Sequence, residues 1–151
     1  MENKVKMGRI KKIDHIGIVV SNMNEAVETY KSLLFEEPTH SEHIDTTKVD
    51  IVFFDIGGVS IELLAPAAPE SILTSFLENN GEGLHHICYE VEGIKTLLRN
   101  LKKRGIKLID EEPRRGSRNS QIAFVDPKST RGVYIEYCEF PDTCSKEGLS
   151  P

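Results

Sequence analysis

The sequence predicts an α+β fold: two tandem βαβββ modules whose strands form a curved mixed sheet around a metal-binding cleft. Three observations predict it. Strand-like stretches carrying a histidine, DHIGIVV at 14–20 and GLHHICYEV at 83–91, each open one half of the chain. Strand-like stretches carrying one glutamate, VSIELL at 59–64 and VYIEYC at 133–138, close those halves. The spacing repeats, with 47 residues from His15 to Glu62 and 50 from His86 to Glu136, which is the signature of a duplicated unit.

The gross composition sets the bounds. A chain of 151 residues is most simply one domain, able to bury roughly two-thirds of its unfolded surface without staples. Its 38% apolar and 28% charged content is that of a soluble protein, and no apolar run nears the ~18 residues of a membrane span. A net charge of −5 argues against nucleic acid as a partner, since phosphates repel such a surface. The lead-in MENKVKMGRIKK lacks the apolar segment of a secretory signal. Cys88, Cys138 and Cys144 form no even framework, so reduced thiols and a cytoplasmic location are expected.

The first module is expected at about 13–66. Residues 1–9 read as a polar tail, and a strand at 13–20 places His15, Gly17 and Val19 on one face, with Asp14, Ile16, Ile18 and Val20 on the other. Asn22 with Glu25 signals a helix start, and Ala26, Val27, Tyr30, Leu33 and Leu34 keep one helical face apolar up to Pro38. Residues 39–48 read as an irregular polar connection. VDIVFFDI, a Gly-Gly turn and VSIELLAP then make a hairpin. A joining helix is expected at about 69–80, stopped by Gly81.

The second module, about 84–140, repeats the order. A strand at 84–91 leads into a helix at about 93–104 with Ile94, Leu97, Leu98 and Leu101 inside and Lys95, Arg99, Lys102 and Lys103 outside. Gly105 closes it. Ile106–Ile109 reads as a strand, EEPRRGSRNS as an exposed loop, QIAFVD as a strand, PKSTRG as a turn and VYIEYCEF as the last strand. Residues 10–140 thus form the domain, and 141–151 a polar tail.

His15, Glu62, His86 and Glu136 recur in equivalent places. Two imidazoles and two carboxylates on inward faces suit one divalent ion, and nitrogen and oxygen donors match zinc, cobalt, nickel or manganese. Singly, each residue reads more simply as an ordinary polar strand residue. Jointly, burying all four without an ion or ion pairs would cost several kcal/mol. His85 should face away from His86, and Cys88 and Cys138 read as small buried side chains.

These stretches, with LKKRGIKLIDEEPRRG and IAFVDPKSTRGVYIEY, resemble the vicinal oxygen chelate, or glyoxalase, superfamily, and within it the methylmalonyl-CoA epimerases, from about residue 10 to 140. The resemblance implies His15, Glu62, His86 and Glu136 as metal ligands. It implies a metal-dependent epimerase that moves the α proton of a 2-methylmalonyl-CoA-type thioester through a metal-stabilised enediolate, with Glu136 as a catalytic carboxylate. The loop around Ser117, Arg118 and Asn119 falls where the family contacts the thioester carrier; the plain alternative is a solvated basic turn. Some epimerases of this family take a second carboxylate from the strand that here reads VDIVFFDI, where a gap-free comparison puts Ile51. Asp50 after a one-residue shift, Glu42, Asp45 or a water are the candidates instead. A homodimer is expected. The alternatives are a glyoxalase I-like lyase, or another metal-dependent enzyme of the superfamily, and a non-catalytic small-molecule-binding module of the same fold.

Overall fold

The structure is a computed structural model and describes residues 7–142. Its elements run β1 (Arg9–Val19), α1 (Met23–Leu34), β2 (His40–Ile44), β3 (Val49–Ile56), β4 (Val59–Pro66), α2 (Thr74–Asn80), β5 (Gly83–Glu92), α3 (Ile94–Lys103), β6 (Arg114–Arg115), β7 (Gln121–Val125) and β8 (Tyr134–Glu139). Contacts divide the described residues into two compact units: His15–His86, and 7–14 together with 87–142. The expected joint at 69–80 therefore lies inside the first of these.

In the His15–His86 unit the strand order is β2-β3-β4-β1. β1 and β4 run parallel, with His15 opposite Ser60 and Gly17 opposite Glu62; β2–β3 and β3–β4 are antiparallel. Alternation gives the sheet two apolar faces. One packs Val20, Phe54, Leu63 and Ala65 against Ala26, Val27, Tyr30 and Leu34 of α1. The other packs Val19, Ile51, Phe53 and Leu64 against Leu73, Phe76 and Leu77 at α2. His15, Gly17 and Glu62 share that second face. The Asn22 side chain accepts from Glu25 N–H at 3.1 Å and starts α1 as the sequence implies.

β2 corrects the expected loop at 39–48. HSEHI has only one apolar residue, so it carries no hydrophobic alternation; an edge strand needs little, because backbone pairing with β3 suffices. The joining helix is shorter than expected, beginning at Thr74, and Ile72 ahead of it is exposed.

In the other unit the order is β5-β8-β7-β6, and α3 buries Ile94, Leu97 and Leu98 against Val91, Ala123, Val125 and Tyr137. Glu139 accepts from Gly93 N–H at 2.6 Å and Ile94 N–H at 3.2 Å, supplying the carboxylate that the start of α3 favours. β1 starts at Arg9, four residues before the expected strand, because Arg9 pairs with Glu92 and Lys11 with Glu90 in its first turns of pleat. Ile106–Ile109 is not a strand: only Leu108 bridges to Val125. Both Ile109 and Asp110 N–H turn to the Phe124 carbonyl, which ends the pairing there.

Candidate metal centre and its surroundings

The centre is built on the β1–β4 register. Because Gly17 stands opposite Glu62, the Glu62 side chain reaches one step back along β1, and its Oε2 lies 3.2 Å from His15 Nε2. His15 Nε2 also lies 3.0 Å from His86 Nε2, the two rings edge to face. All three residues are only 2 to 4% exposed. His86 reaches this place over Gly17, where a Cβ would stand 2.2 Å from its Cε1. A glycine inside a strand often marks such a close approach.

His85 has a part the sequence did not suggest. Its Nδ1 lies 2.8 Å from His86 Nδ1, and its ring packs edge-on to Phe76. A neutral imidazole has one N–H and one lone pair. With His85 accepting on Nδ1, the His86 Nδ1 is the donor and its Nε2 lone pair is turned toward His15. This is the outer-shell arrangement that fixes the tautomer of a metal-binding histidine.

Do these donors fit an ion? Two buried imidazole nitrogens 3.0 Å apart, with a carboxylate oxygen 3.2 Å from one of them, are the donor types that a divalent ion takes. Nitrogen with oxygen suits zinc, cobalt, nickel or manganese. Burial of a carboxylate beside two imidazoles without a compensating cation would be costly.

Glu136 lies in the other unit, 6% exposed on β8 and opposite Phe124 of β7. On the same face Cys138 stands opposite Ile122 and packs with Cys88; both cysteines are free thiols. Burial first, then the hydrogen bond with Cys138 and the charge of Glu136, push the Cys88 thiol well above its ordinary range. A protonated thiol is a poor metal ligand.

The loop at 114–120 is tightly built. Gly116 N–H donates to the Ser120 carbonyl and Ser120 Oγ to the Ser117 carbonyl. Arg118 and Asn119 take left-handed φ of 52° and 58°. Arg118, a candidate for contact with substrate, turns its guanidinium onto Asp14, which is fully buried, and over the Phe140 ring at 4.9 Å. Arg114 pairs with Asp110, while Arg115 and Asn119 are exposed. The sequence offered one clue to the Asp14 anchor: an acid on the covered face of β1.

Of the candidate second carboxylates, Asp50 lies on the α1 side of β3, opposite Ala65, with its oxygen 2.8 Å from His43 Nδ1. Asp45 is exposed and pairs with Lys48. Glu42 lies on the Glu62 side of the sheet, bonded to His40 at 2.9 Å.

Residues 14–124 match the Glyoxalase/Bleomycin resistance protein/Dioxygenase superfamily, and the chain belongs to that superfamily. Human mitochondrial methylmalonyl-CoA epimerase is 32% identical over 126 residues, 83% of this chain and 72% of its own. An uncharacterized Bacillus subtilis protein, YqjC, is 38% identical over 128 residues, 85% of this chain and 91% of its own. Methylmalonyl-CoA epimerase from Mycobacterium tuberculosis matches with a TM-score of 0.83 at 28% identity, covering 95% of this chain and 94% of that one. A methylmalonyl-CoA epimerase in complex with methylmalonyl-CoA and NH4+ matches with a TM-score of 0.84 at 30% identity, covering 91% and 99%. The fold is the α+β fold of these epimerases.

Proposed function

We propose that the chain is a metal-dependent epimerase of a 2-methylmalonyl-CoA-type thioester, with His15, Glu62, His86 and Glu136 holding one divalent ion. The observation that carries this is the buried His15–His86–Glu62 cluster, its nitrogens 3.0 Å apart. Support comes from relatives named as methylmalonyl-CoA epimerases that align over more than four-fifths of the chain.

The ion would supply positive charge to the acyl oxygens of the substrate, where negative charge develops as the α proton leaves. Glu136 is the carboxylate that takes this proton. The imidazoles stay neutral ligands, and His85 keeps His86 in the ligating tautomer. Ser117 and Asn119 contact the thioester carrier, and Arg118, anchored on Asp14, sets the shape of their loop. No helix among the described residues is long and apolar enough to cross a membrane. The protein acts as a cytoplasmic homodimer in this reading, and a monomeric mass in solution would contradict that part.

The test is α-proton exchange into 2-methylmalonyl-CoA in heavy water, using protein whose metal content has been measured. About one ion per chain and exchange that Glu136→Gln abolishes are expected. A metal-free protein, or exchange unaffected by that substitution, overturns the reading. Parallel assay of hemithioacetal isomerisation separates it from a glyoxalase I-like lyase.

A further inference from the structure

The helices at equivalent places in the two modules carry opposite charge. Segment 21–37, which contains α1, holds Glu25, Glu28, Glu36 and Glu37 against one cation, Lys31. Segment 93–109, which contains α3, holds Lys95, Arg99, Lys102, Lys103, Arg104 and Lys107 and no acid. Folding does not ask for this contrast, because both helices pack through their apolar sides. Part of the charge is neutralised locally: Lys31 pairs with Glu28 at 3.5 Å and Glu37 at 3.2 Å, and Lys102 with Glu111 at 3.2 Å.

α1 is also the less covered of the two. α3 buries Ile94, Leu97 and Leu98, whereas α1 has no buried residue. Leu33 is 63% exposed and Phe35 90%. Phe35 takes a left-handed φ of 57° at the end of α1, where glycine or asparagine is usual. An aromatic ring thus stands in solvent at a place that neither burial nor backbone favours. Beside the same helix lies a groove of about 320 Å³ lined by Ile18, Val20, Ala26 and Tyr30, with Glu25 and Glu82 in its wall and no cation among the described residues that line it.

An apolar floor with carboxylates at its edge fits Lys and Arg side chains, whose alkyl stems cover apolar surface while the charged heads stay at the rim. The element of this chain that presents such side chains in a row is α3, with Lys95, Arg99 and Lys103 exposed at helical spacing. The 12 residues of α1 and 10 of α3 make helices about 18 and 15 Å long, so the two faces match in length.

Resting on the homodimer reading above, we propose that the outer face of α1 is a docking surface for α3 of a second copy of this chain. Glu25 and Glu28 meet the cations of the second copy's α3, and Leu33 and Phe35 pack on their alkyl stems. A contact between unlike faces closes into a dimer when a twofold axis repeats it. The plainer role of these charges is to answer the helix dipoles and keep the surface soluble, and that role predicts no effect on the mass in solution.

The experiment is analytical ultracentrifugation of metal-loaded wild type, of the double variant Glu25→Lys with Glu28→Lys, and of the triple variant Lys95→Glu, Arg99→Glu and Lys103→Glu. Wild type should have the mass of two chains, with a dissociation constant that rises about tenfold or more between about 0.05 and 0.5 M salt. Each variant alone sets like charges against each other and should have the mass of one chain, with unchanged metal content. An equimolar mixture of the two restores opposite charges at the contact and should return to the mass of two chains. A mixture that stays monomeric overturns the assigned surface, and so do variants that dimerise within threefold of wild type. Wild type with the mass of one chain overturns the homodimer reading itself, and the surface with it, a result distinct from these.

Discussion

The His86 ring occupies the space that a side chain at position 17 would fill: a Cβ on Gly17 would meet His86 Cε1 at 2.2 Å and Nδ1 at 2.5 Å. The atoms met belong to a side chain that can swing aside, so the backbone need not move. Gly17→Ala should therefore expel the imidazole from the cluster while leaving the fold in place. Metal affinity should fall at least tenfold, with apo-protein stability changed by about 1 kcal/mol or less. Calorimetric metal titration beside apo-protein melting curves checks this; equal loss in both would mean that Gly17 serves folding instead.

His85 holds the nitrogen of His86 that faces away from His15. Replacing it with Phe keeps a ring against Phe76 and removes the acceptor. Zinc affinity should drop about 10- to 100-fold, the usual effect of losing an outer-shell partner. An unchanged affinity by competition with a chromogenic chelator would show that His86 needs no such help.

Glu62→Gln retains an oxygen donor and removes a negative charge from a site 2% exposed. The variant should still bind one ion, more weakly, and Glu62→Ala should bind more weakly again. Equal affinities for Gln and Ala would mean that residue 62 is not a ligand.

The ion pair between Asp14 and Arg118 is buried on the Asp14 side, and the Arg118 side chain is 13% exposed. Removing one partner strands the other. Arg118→Ala should cost about 3–5 kcal/mol by urea unfolding, and adding Asp14→Ala should cost less than the sum of the two single changes. Strict additivity would show that the pair is uncoupled.

Cys88 gives the pH dependence. Its thiol pKa is raised in the folded state, chiefly by burial, so between the unfolded and folded values the native chain holds the extra proton. Stability from this source is complete below about pH 8.5, where an unfolded thiol titrates, and falls as pH rises above that. The urea midpoint should decline from pH 8 to 10, and Cys88→Val should flatten the decline. Tyr137, raised in the same direction by burial and then Tyr89, adds only above about pH 10. A midpoint that rises over this range contradicts the assignment.

The strands that carry His15, Glu62, His86 and Glu136 were legible because half-buried strands alternate with period two, and helices α1 and α3 because their apolar stripes and cap residues agree. β2 escaped notice because its pairing is made by backbone atoms and its five residues include two histidines and a glutamate. The reach of Glu62 to His15 follows from a parallel register that no local pattern encodes. The pairing of Arg118 with Asp14 was not legible, because a basic loop carries no sign of an acid supplied from the opposite end of the chain. That Glu42 and Asp50 lie on opposite faces of their sheet follows from the β2–β3–β4 register, which no local pattern encodes.

The histidines in contact at 3.0 Å are also the first and last residues of one compact unit. An ion gripping both would close a loop of roughly 70 residues, and a cross-link of that length removes about 4 kcal/mol of unfolded-chain entropy. Chelation should then loosen the whole unit's amide protons toward exchange, far from any thioester, and the metal would act as a rivet as much as a reagent.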